Sequence, residues 1–388
     1  MKKFFLITIV LIIAIMIPKL TLAESIPIRG IVEGFYGTPW TFENRIDMIK
    51  FCGDHNLNAY IYAPKDDPYH RNKWREPYPS EKINELAKLI EISNQNNVKF
   101  IFAVSPGLDL NYKSNDDLTK MIEKLTAIYN LGCRDFAIFF DDIKNKDGKS
   151  QAEFLNAIQK NFIEKNNLPP LITVPTEYFR QDMIEKGVIK NYTANFTATL
   201  NPKILVLYTG EGVVQPALTD EQYQAANGIY SRQIGIWWNY PVNDYMEDKL
   251  ALGAIENLPT MSAIPAIFFN PMKYANLSKI ALATGADYAN DPQNYDPLES
   301  WNKAIDEQFG DLAEEMKIFA SYSRHLENNW AKIGAADEKI PDSKQELKSL
   351  QKTIKKLKSK LPKNILNECR PQLEKLASEI ETKIKSAK

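Results

Sequence analysis

Eight short apolar runs recur between residues 26 and 272, each bounded by turn-forming residues, and segments with helical periodicity separate them. This alternation is typical of repeated βα units around a parallel sheet. Some runs, such as residues 100–104, are apolar at every position, so both faces of the sheet need cover. The predicted strands are residues 28–33, 59–63, 99–104, 135–140, 171–174, 204–207, 234–238 and 264–269.

A closed (β/α)8 barrel, the TIM barrel, provides that cover, and about 250 residues is its usual size. An open, doubly wound sheet is the alternative. However, the first strand is not followed by a G-x-G-x-x-G sequence, so dinucleotide binding loses its main support. We therefore predict an α/β fold with a (β/α)8 barrel over residues 24–298 and a short helical region over residues 299–388.

The connecting helices have recognisable starts. We predict helices over residues 42–55 after the cap Thr41, 81–94 after Ser80, and 116–131 after Asn115. Further helices are expected over residues 300–309 and 312–328.

The first 23 residues form a separate unit. Two lysines precede an apolar stretch over residues 4–17, and Pro18 and the small residue Ala23 follow it. The stretch is shorter than the roughly 20 residues that span a bilayer. We predict a secretory signal peptide cleaved after Ala23, and therefore a secreted or periplasmic protein. An uncleaved N-terminal membrane anchor remains the alternative.

Three cysteines and three histidines are scattered along the chain. Their spacing matches neither a disulfide framework nor a zinc site. We expect no metal, no cofactor and no essential disulfide.

The charge of the chain is unevenly distributed. Residues 24–342 contain 32 basic and 44 acidic residues, whereas residues 343–388 contain 13 basic and 5 acidic ones. Apolar residues recur there at steps of three and four on both sides of a break near Pro362, which predicts an antiparallel helical hairpin with lysines outside. These lysines either solvate the outer face or make weak contact with anionic surfaces. No nucleic-acid partner is expected.

In a (β/α)8 barrel the active site is built at the carboxyl ends of the strands. Carboxylates, amides, a lysine and aromatic residues follow the predicted strands, whereas a serine–histidine pair does not. The polar groups at these ends include Glu33, Lys65, Asp66, Asp67, Ser105, Asp141, Asp142, Thr176, Glu177, Thr209, Asn239 and Asn270.

Asp141 and Asp142 directly follow a buried strand. Two adjacent carboxylates there cannot both ionise cheaply, and one acid held protonated beside an ionised one suits glycoside cleavage. An Asp-Asp pair can equally be a helix cap or a solvated turn. Lys65 could pair with the carboxylates, bind a sugar hydroxyl or form a Schiff base, although no phosphate-binding glycine loop supports an aldolase.

Aromatic rings at strand ends could form the walls of a sugar site, because sugars stack their CH-rich faces on rings. The candidates are Tyr36, Tyr178, Trp237 and Trp238. Neighbours on a strand point to opposite faces, so one of the two tryptophans is expected to be a packing residue.

At these residues the sequence resembles glycoside hydrolase family 84, the retaining β-N-acetylglucosaminidases that include O-GlcNAcases and enzymes once called hyaluronidases. The resemblance covers residues 29–309. It is carried by residues 30–40 (GIVEGFYGTPW), 60–70 (YIYAPKDDPYH), 141–143 (DDI), 237–241 (WWNYP) with Asp244, and 270–272 (NPM).

The resemblance implies hydrolysis of terminal β-linked N-acetylglucosamine, including O-GlcNAc on proteins, by a substrate-assisted mechanism through an oxazoline intermediate. Asp141 would orient the acetamide of the sugar, and Asp142 would be the general acid and base. The remaining residues would bind the sugar: Gly34, Lys65, Asp244 and Asn270 its hydroxyls, Tyr36, Thr209 and Trp237 the acetamide methyl, Tyr178 the reacting group, and Asn239 the leaving oxygen. Asp66, Asp67 and His70 lie inside a matching string but are interpreted as loop structure.

Two departures from the family pattern lie beside the expected pocket. Phe139-Phe140 precede the acid pair where tyrosine and tryptophan are common, and Glu211 replaces a common proline. They affect fine specificity rather than the reaction. Two other functions stay open: a catalytically silent sugar-binding barrel, and an adhesion protein acting through the basic hairpin.

Overall fold

The computed structural model describes residues 25–247, 249–322 and 340–386. Eight parallel strands close into a barrel, in which the first strand of the chain pairs with both the second and the last. This confirms the predicted fold class and all eight predicted strands to within two residues at each end. The barrel strands are β1 (Ile28–Glu33), β2 (Ala59–Tyr62), β3 (Lys99–Val104), β4 (Asp135–Phe139), β5 (Ile172–Val174), β8 (Leu205–Tyr208), β9 (Gly235–Trp238) and β10 (Ala266–Phe269).

The apolar strands are buried on both faces, as the continuous runs predicted. On β3, Ile101 and Ala103 belong to the cluster that fills the barrel, whereas Phe100 and Phe102 pack outside against the helices. Successive strand residues point to opposite faces, so each strand contributes to both layers of the core. The same alternation divides the tryptophan pair: Trp237 joins the inner cluster and Trp238 the outer one.

Helices cover the barrel, and two predicted caps are wrong by one residue. Thr41 caps α1 as predicted. The side-chain oxygen of Ser114 accepts from the backbone N of Asp117, so α3 already begins at Asn115. Ser80 is itself the first residue of α2, after Pro79. The covering helices are α1 (Phe42–Asp54), α2 (Ser80–Gln95), α3 (Asn115–Asn130), α4 (Gly148–Ile158), α5 (Arg180–Met183), α6 (Asn191–Thr199), α7 (Asp220–Tyr230) and α8 (Ala275–Asn290).

Two connections depart from a simple βα repeat. The connection after β5 carries a small antiparallel hairpin, β6 (Ile184–Glu185) and β7 (Val188–Ile189), before α6. Between β9 and β10 the described residues contain no helix. Both connections leave the carboxyl end of a barrel strand, which is the end of the barrel where the active site is expected.

The C-terminal region is helical, as predicted. It contains α9 (Pro297–Phe309), α10 (Ala313–Tyr322), α11 (Lys344–Lys360) and α12 (Lys363–Ser386). Asp296 caps α9 by accepting from the backbone N of Leu298 and Glu299, both at 2.9 Å, so this helix begins three residues earlier than predicted. The predicted division after residue 298 falls in its first turn, and the division into two domains stays a prediction.

Helices α11 and α12 form the predicted antiparallel hairpin, with Leu347, Leu350, Ile354 and Leu357 buried along α11. The hairpin docks on the barrel through Glu368 of α12. Its carboxylate accepts from the backbone N of Asn276 (3.1 Å) and Leu277 (2.9 Å) in the first turn of α8. A carboxylate at a helix N-terminus satisfies free N–H groups and complements the helix dipole.

Two predictions concern residues that the structure does not describe. The signal peptide over residues 1–23 lies wholly outside the described ranges, as do residues 323–328 of the predicted helix over 312–328. Among the helices of the described residues, none is both long and apolar enough to cross a membrane.

Candidate active site

A pocket of about 250 Å³ opens at the carboxyl ends of the barrel strands. Its volume lies just below the roughly 300–1,000 Å³ of typical small-molecule sites, which suits a ligand of one sugar ring. All eleven residues predicted for the site line it: Gly34, Tyr36, Lys65, Asp141, Asp142, Tyr178, Thr209, Trp237, Asn239, Asp244 and Asn270. Their individual roles stay predictions.

Asp141 is the buried member of the acid pair, with 9% of its surface exposed. The Nζ of Lys65, itself buried, donates to its Oδ2. The other oxygen, Oδ1, is buried and has no hydrogen-bond partner among the described residues. A buried acceptor without a donor carries a desolvation penalty of about 1–3 kcal/mol. The carboxylate is therefore positioned to accept an N–H from a ligand.

Asp142 is exposed toward the pocket and is held by two phenols. The Tyr36 hydroxyl donates to Oδ2 at 2.7 Å, and the Tyr178 hydroxyl donates to Oδ1 at 2.9 Å. Its backbone has φ +57, in the left-handed region that aspartate tolerates better than most residues. That turn directs Asp142 to the mouth of the pocket while Asp141 stays buried.

Burial together with the nearby Asp142 and Asp141 carboxylates raises the pKa of both Tyr36 and Tyr178. Both hydroxyls therefore keep their protons over the physiological range. They remain hydrogen-bond donors to Asp142.

One wall of the pocket is a hydrogen-bonded set of amides. The Trp237 indole N–H donates to Oδ1 of Asn239 at 2.8 Å, and Nδ2 of Asn270 donates to the same oxygen at 3.0 Å. Oδ1 of Asn270 accepts from the backbone N of Gly34 at 3.3 Å. A Cβ on Gly34 would lie 2.4 Å from Cζ2 of Trp237, so only glycine leaves room for the indole.

Asp244 closes the side beside Tyr36. Its Oδ2 accepts from the backbone N of Tyr36 at 2.8 Å, and burial raises its pKa.

The Thr209 hydroxyl donates to the carbonyl of Gly212 at 2.8 Å, and Nε2 of Gln215 donates to the carbonyl of Thr209 at 2.7 Å. These bonds set the loop after β8 against the pocket.

Several other polar residues at strand ends point away from the pocket. Glu33 forms a buried ion pair with Arg45 at 2.7 Å on the outside of the barrel. Glu177 accepts from the Thr193 hydroxyl at 2.6 Å and pairs with Lys146 at 3.3 Å. Neither carboxylate lines the pocket, because each side chain points away from it toward the partners just named.

The loop residues Asp66, Asp67 and His70 act structurally, as interpreted from the sequence. Asp67 accepts from the Tyr62 hydroxyl at 2.6 Å, and Asp66 from the backbone N of Gly37 at 3.1 Å. Burial lowers the pKa of His70 to about 3, so its ring is neutral. Among the described residues, no group of three His, Cys, Asp or Glu side chains is placed to hold a metal ion.

The sequence interpretation missed six residues at or beside the pocket. Five of them line it: Val174, Val213, Val214, Val242 and Tyr245. Val174 ends β5, so its strand position could have indicated it. The other four follow strands on irregular loops, where no periodicity sets the direction of a side chain. The sixth, Arg71, bonds the Tyr36 hydroxyl.

A (β/α)8 barrel whose strand ends surround two adjacent carboxylates and aromatic walls has the architecture of a glycoside hydrolase. The chain matches the family model described as beta-N-acetylglucosaminidase over residues 29–321, and it belongs to that family of glycoside hydrolases. The resemblance to family 84 is thereby confirmed.

Relatives and solved structures agree with this assignment. The chain is 30% identical to Protein O-GlcNAcase of Rattus norvegicus, and equally to that of Mus musculus, over 275 residues, which are 68% of this chain and 30% of each relative. The chain thus matches about a third of the length of these relatives.

Two solved structures are similar over most of the chain. The structure of CpGH84B has a TM-score of 0.86 and 39% identity, covering 94% of this chain and 69% of that one. A point mutant of the Thermobaculum terrenum O-GlcNAc hydrolase has a TM-score of 0.83 and 29% identity, covering 93% of this chain and 83% of that one.

Proposed function

We propose that this protein is a retaining exo-β-N-acetylglucosaminidase that releases terminal β-linked N-acetylglucosamine, including O-GlcNAc on proteins. The observation that carries the proposal is the state of Asp141. One oxygen is bound by Lys65, and the other is buried without a partner beside a pocket of single-sugar size. A 2-acetamido N–H is the donor that such an oxygen lacks.

In the first step the carbonyl oxygen of the acetamide attacks the anomeric carbon, and the bond to the leaving oxygen breaks. Asp141 accepts the acetamide N–H and offsets the positive charge of the oxazoline-like intermediate. Asp142 donates its proton to the leaving oxygen. Lys65 holds one oxygen of Asp141 and leaves the other free for the substrate.

In the second step Asp142, now a carboxylate, takes a proton from water as the water oxygen attacks the anomeric carbon. The oxazoline ring opens and the acetamide is restored, with the β configuration retained after two displacements. The phenols of Tyr36 and Tyr178 stabilise the Asp142 carboxylate between the two steps.

The remaining pocket groups fit a sugar ring. All of them line the pocket. In the proposed complex the backbone carbonyl of Gly34 and the side chains of Lys65, Asp244 and Asn270 bind the sugar hydroxyls. Tyr36, Thr209 and Trp237 enclose the acetamide methyl, and Asn239 binds near the leaving oxygen. The rings of Trp237 and Phe139 pack edge to face, with their centroids 5.4 Å apart, which holds the indole in place. Because the pocket is small, it accepts a chain end rather than an internal sugar.

An aryl N-acetyl-β-glucosaminide assay distinguishes this enzyme from a silent sugar-binding barrel. Turnover by the wild type is expected, and absence of turnover would contradict the proposal. Asp142→Asn should lose about 10²–10⁴-fold with a poor leaving group and less with a good one. Substrates whose acetamide methyl is progressively fluorinated should react progressively more slowly, because their carbonyl is a weaker nucleophile. A rate independent of fluorination would exclude acetamide participation.

The alternative, an adhesion protein, makes its own prediction for the hairpin. If the protein acts through residues 343–388, their removal abolishes adhesion while hydrolysis persists. We propose only that the exposed lysines of α11 and α12 make weak contact with anionic surfaces. Binding to vesicles containing an anionic lipid should then weaken with added salt, and binding insensitive to salt would exclude it.

We also propose that the protein is exported, secreted or periplasmic, with cleavage after Ala23. The support is the Lys2-Lys3 pair followed by the apolar stretch. N-terminal sequencing of the protein from a native host should begin at Glu24. A chain that retains residues 1–23 in the membrane fraction would favour the anchor instead.

A further inference from the structure

Arg71 is a charged residue beside the acid pair for which the proposed mechanism has no role. It follows His70 in the connection between β2 and α2 and is partly buried. Its Nη1 donates to the Tyr36 hydroxyl at 2.9 Å, and its guanidinium lies 5.4 Å from the centre of the Tyr36 ring. The same hydroxyl donates to Oδ2 of Asp142 at 2.7 Å. A cation is thus two hydrogen bonds away from the proposed general acid.

The turn that carries Arg71 is firmly anchored. The backbone N of Arg71 donates to the carbonyl of Pro68 at 3.3 Å, and Nδ1 of the buried His70 lies 2.8 Å from the carbonyl of Ala103 on β3. Asp67 receives the hydroxyls of Tyr62 at 2.6 Å and Tyr78 at 3.1 Å. These bonds fix the backbone from which the guanidinium reaches Tyr36.

The hydrogen bonds between these side chains have only one possible direction. A guanidinium has donors and no acceptor, so the Tyr36 oxygen must accept from Arg71. The single hydrogen of the Tyr36 hydroxyl is then directed to Asp142. A hydroxyl that accepts from a cation is also a stronger donor to its own partner.

We infer that Arg71 is a positioning residue for the acid–base step: it holds the Tyr36 hydroxyl as a donor to Oδ2 of Asp142 and stabilises the Asp142 carboxylate that remains after proton transfer. This inference rests on the proposed hydrolase function. Both oxygens of Asp142 receive a phenol hydrogen, Oδ2 from Tyr36 and Oδ1 from Tyr178, and Arg71 acts on the first of these bonds. The proton of Asp142 passes to the leaving oxygen in the first step. Arg71 acts through the Tyr36 hydroxyl and does not contact the sugar.

Other charged or titratable groups also face Asp142, and the inference assigns them separate effects. They are Asp141 beside it with Lys65 from the β2 end, Tyr178 from the β5 end, Asp244 from the loop after β9, and Tyr36 itself. Lys65 also lies 5.9 Å from the centre of the Tyr36 ring, but among the described residues it is Arg71 that donates to the Tyr36 hydroxyl. Removal of Arg71 therefore changes the donor to Asp142 and leaves the contact of Lys65 with Asp141 in place.

The test uses the full chain with Arg71→Met, Arg71→Lys and the control Lys73→Met. Lys73 lies on the same turn and is exposed, and its Nζ lies 3.8 Å from Oε2 of Glu76. Its replacement therefore removes one nearby charge without changing a contact of Tyr36. For each variant kcat/KM is measured against pH with two N-acetyl-β-glucosaminides, one with a good and one with a poor leaving group.

Arg71→Met should shift the alkaline limb of the pH profile upward by about one pH unit, because the Tyr36 hydroxyl becomes a weaker donor to the Asp142 carboxylate. It should slow hydrolysis of the substrate with the poor leaving group about 10-fold and that of the other substrate less than about 3-fold. Only the poor leaving group depends strongly on protonation by the general acid. Arg71→Lys should recover part of the shift by restoring the charge. Lys73→Met should match the wild type.

A double-mutant cycle with Tyr36→Phe separates positioning from folding. Without the Tyr36 hydroxyl, Arg71→Met should have little further effect on the alkaline limb. An unchanged alkaline limb in Arg71→Met, or an equal shift in both backgrounds, would overturn the inference. If the wild type itself does not turn over either substrate, the proposed function fails instead, so the two failures are distinguishable.

Discussion

The ammonium of Lys65 bonds one oxygen of Asp141 and leaves the other oxygen of the same carboxylate buried and without a partner. Both side chains are nearly inaccessible to solvent, so neither charge has water as a substitute partner. The pair leaves the carboxylate with one oxygen bound and the other able to accept from one donor. It therefore links the stability of the barrel mouth to the proposed reaction.

Removing the lysine should cost both stability and activity. Lys65→Met leaves Asp141 buried without its cation, and breaking a buried ion pair typically destabilises by about 3–5 kcal/mol. Denaturant unfolding should show this loss. Lys82→Met is the matched control, because Lys82 and Glu85 form a partly exposed pair, for which a change below about 1 kcal/mol is expected. Similar losses in the two variants would contradict the importance of the buried pair.

Adding one methyl group at Gly34 should impair sugar binding. The new Cβ of Gly34→Ala would lie 2.4 Å from Cζ2 of Trp237, and the indole must move away from Asn239. We expect KM to rise about 10-fold, which corresponds to a loss of roughly 1.4 kcal/mol of binding free energy. The protein should remain folded. Gly228→Ala on α7 is the control: no atom lies near the added Cβ, so kinetics should be unchanged and stability slightly increased.

The Tyr178 hydroxyl should matter more to the rate than to the fold. Tyr178→Phe removes the donor to Oδ1 of Asp142, a bond of 2.9 Å, and keeps the buried ring. Hydrogen bonds to charged groups contribute about 1.5–3 kcal/mol. We expect kcat to fall at least about 10-fold, because the Asp142 carboxylate is less stabilised between the two steps. An unchanged kcat, with a normal melting temperature, would contradict this role.

The contribution of Glu368 to stability should decrease as the pH rises. Burial between α12 and α8 raises its pKa above the ordinary 4.5, so the fold favours the protonated carboxyl. This stabilisation is present below that ordinary value and is lost as the pH rises through the raised one. Glu368→Gln keeps a neutral acceptor, so its stability relative to the wild type should increase as the pH rises above 4.5.

Thermal unfolding across that pH range measures the effect. Glu374→Gln on the exposed side of the same helix is the control and should show no such trend. A difference between Glu368→Gln and the wild type that stays constant or falls with pH would contradict the prediction.

Much of the barrel was predictable because its strands are buried on both faces. Runs such as Phe100 to Val104 must be covered, whatever the helices around them are. Helix starts were less certain. Ser114 and Asn115 are adjacent residues that can both cap a helix, and only the bond from Asp117 to Ser114 distinguishes them. The absence of a helix from the described part of the β9–β10 connection had no local signal either.

The barrel and the set of residues at the strand ends followed from the periodicity of the sequence, because strand order brings those ends to one face. The family followed from the motifs that resemble it. How these residues pair with one another depended on the tertiary structure. It assigned Lys65 to one oxygen of Asp141, turned Glu33 outward to Arg45, and brought Arg71 onto the hydroxyl of Tyr36. Such pairings depend on loop conformations set by packing between distant segments, and a linear pattern carries no record of those contacts.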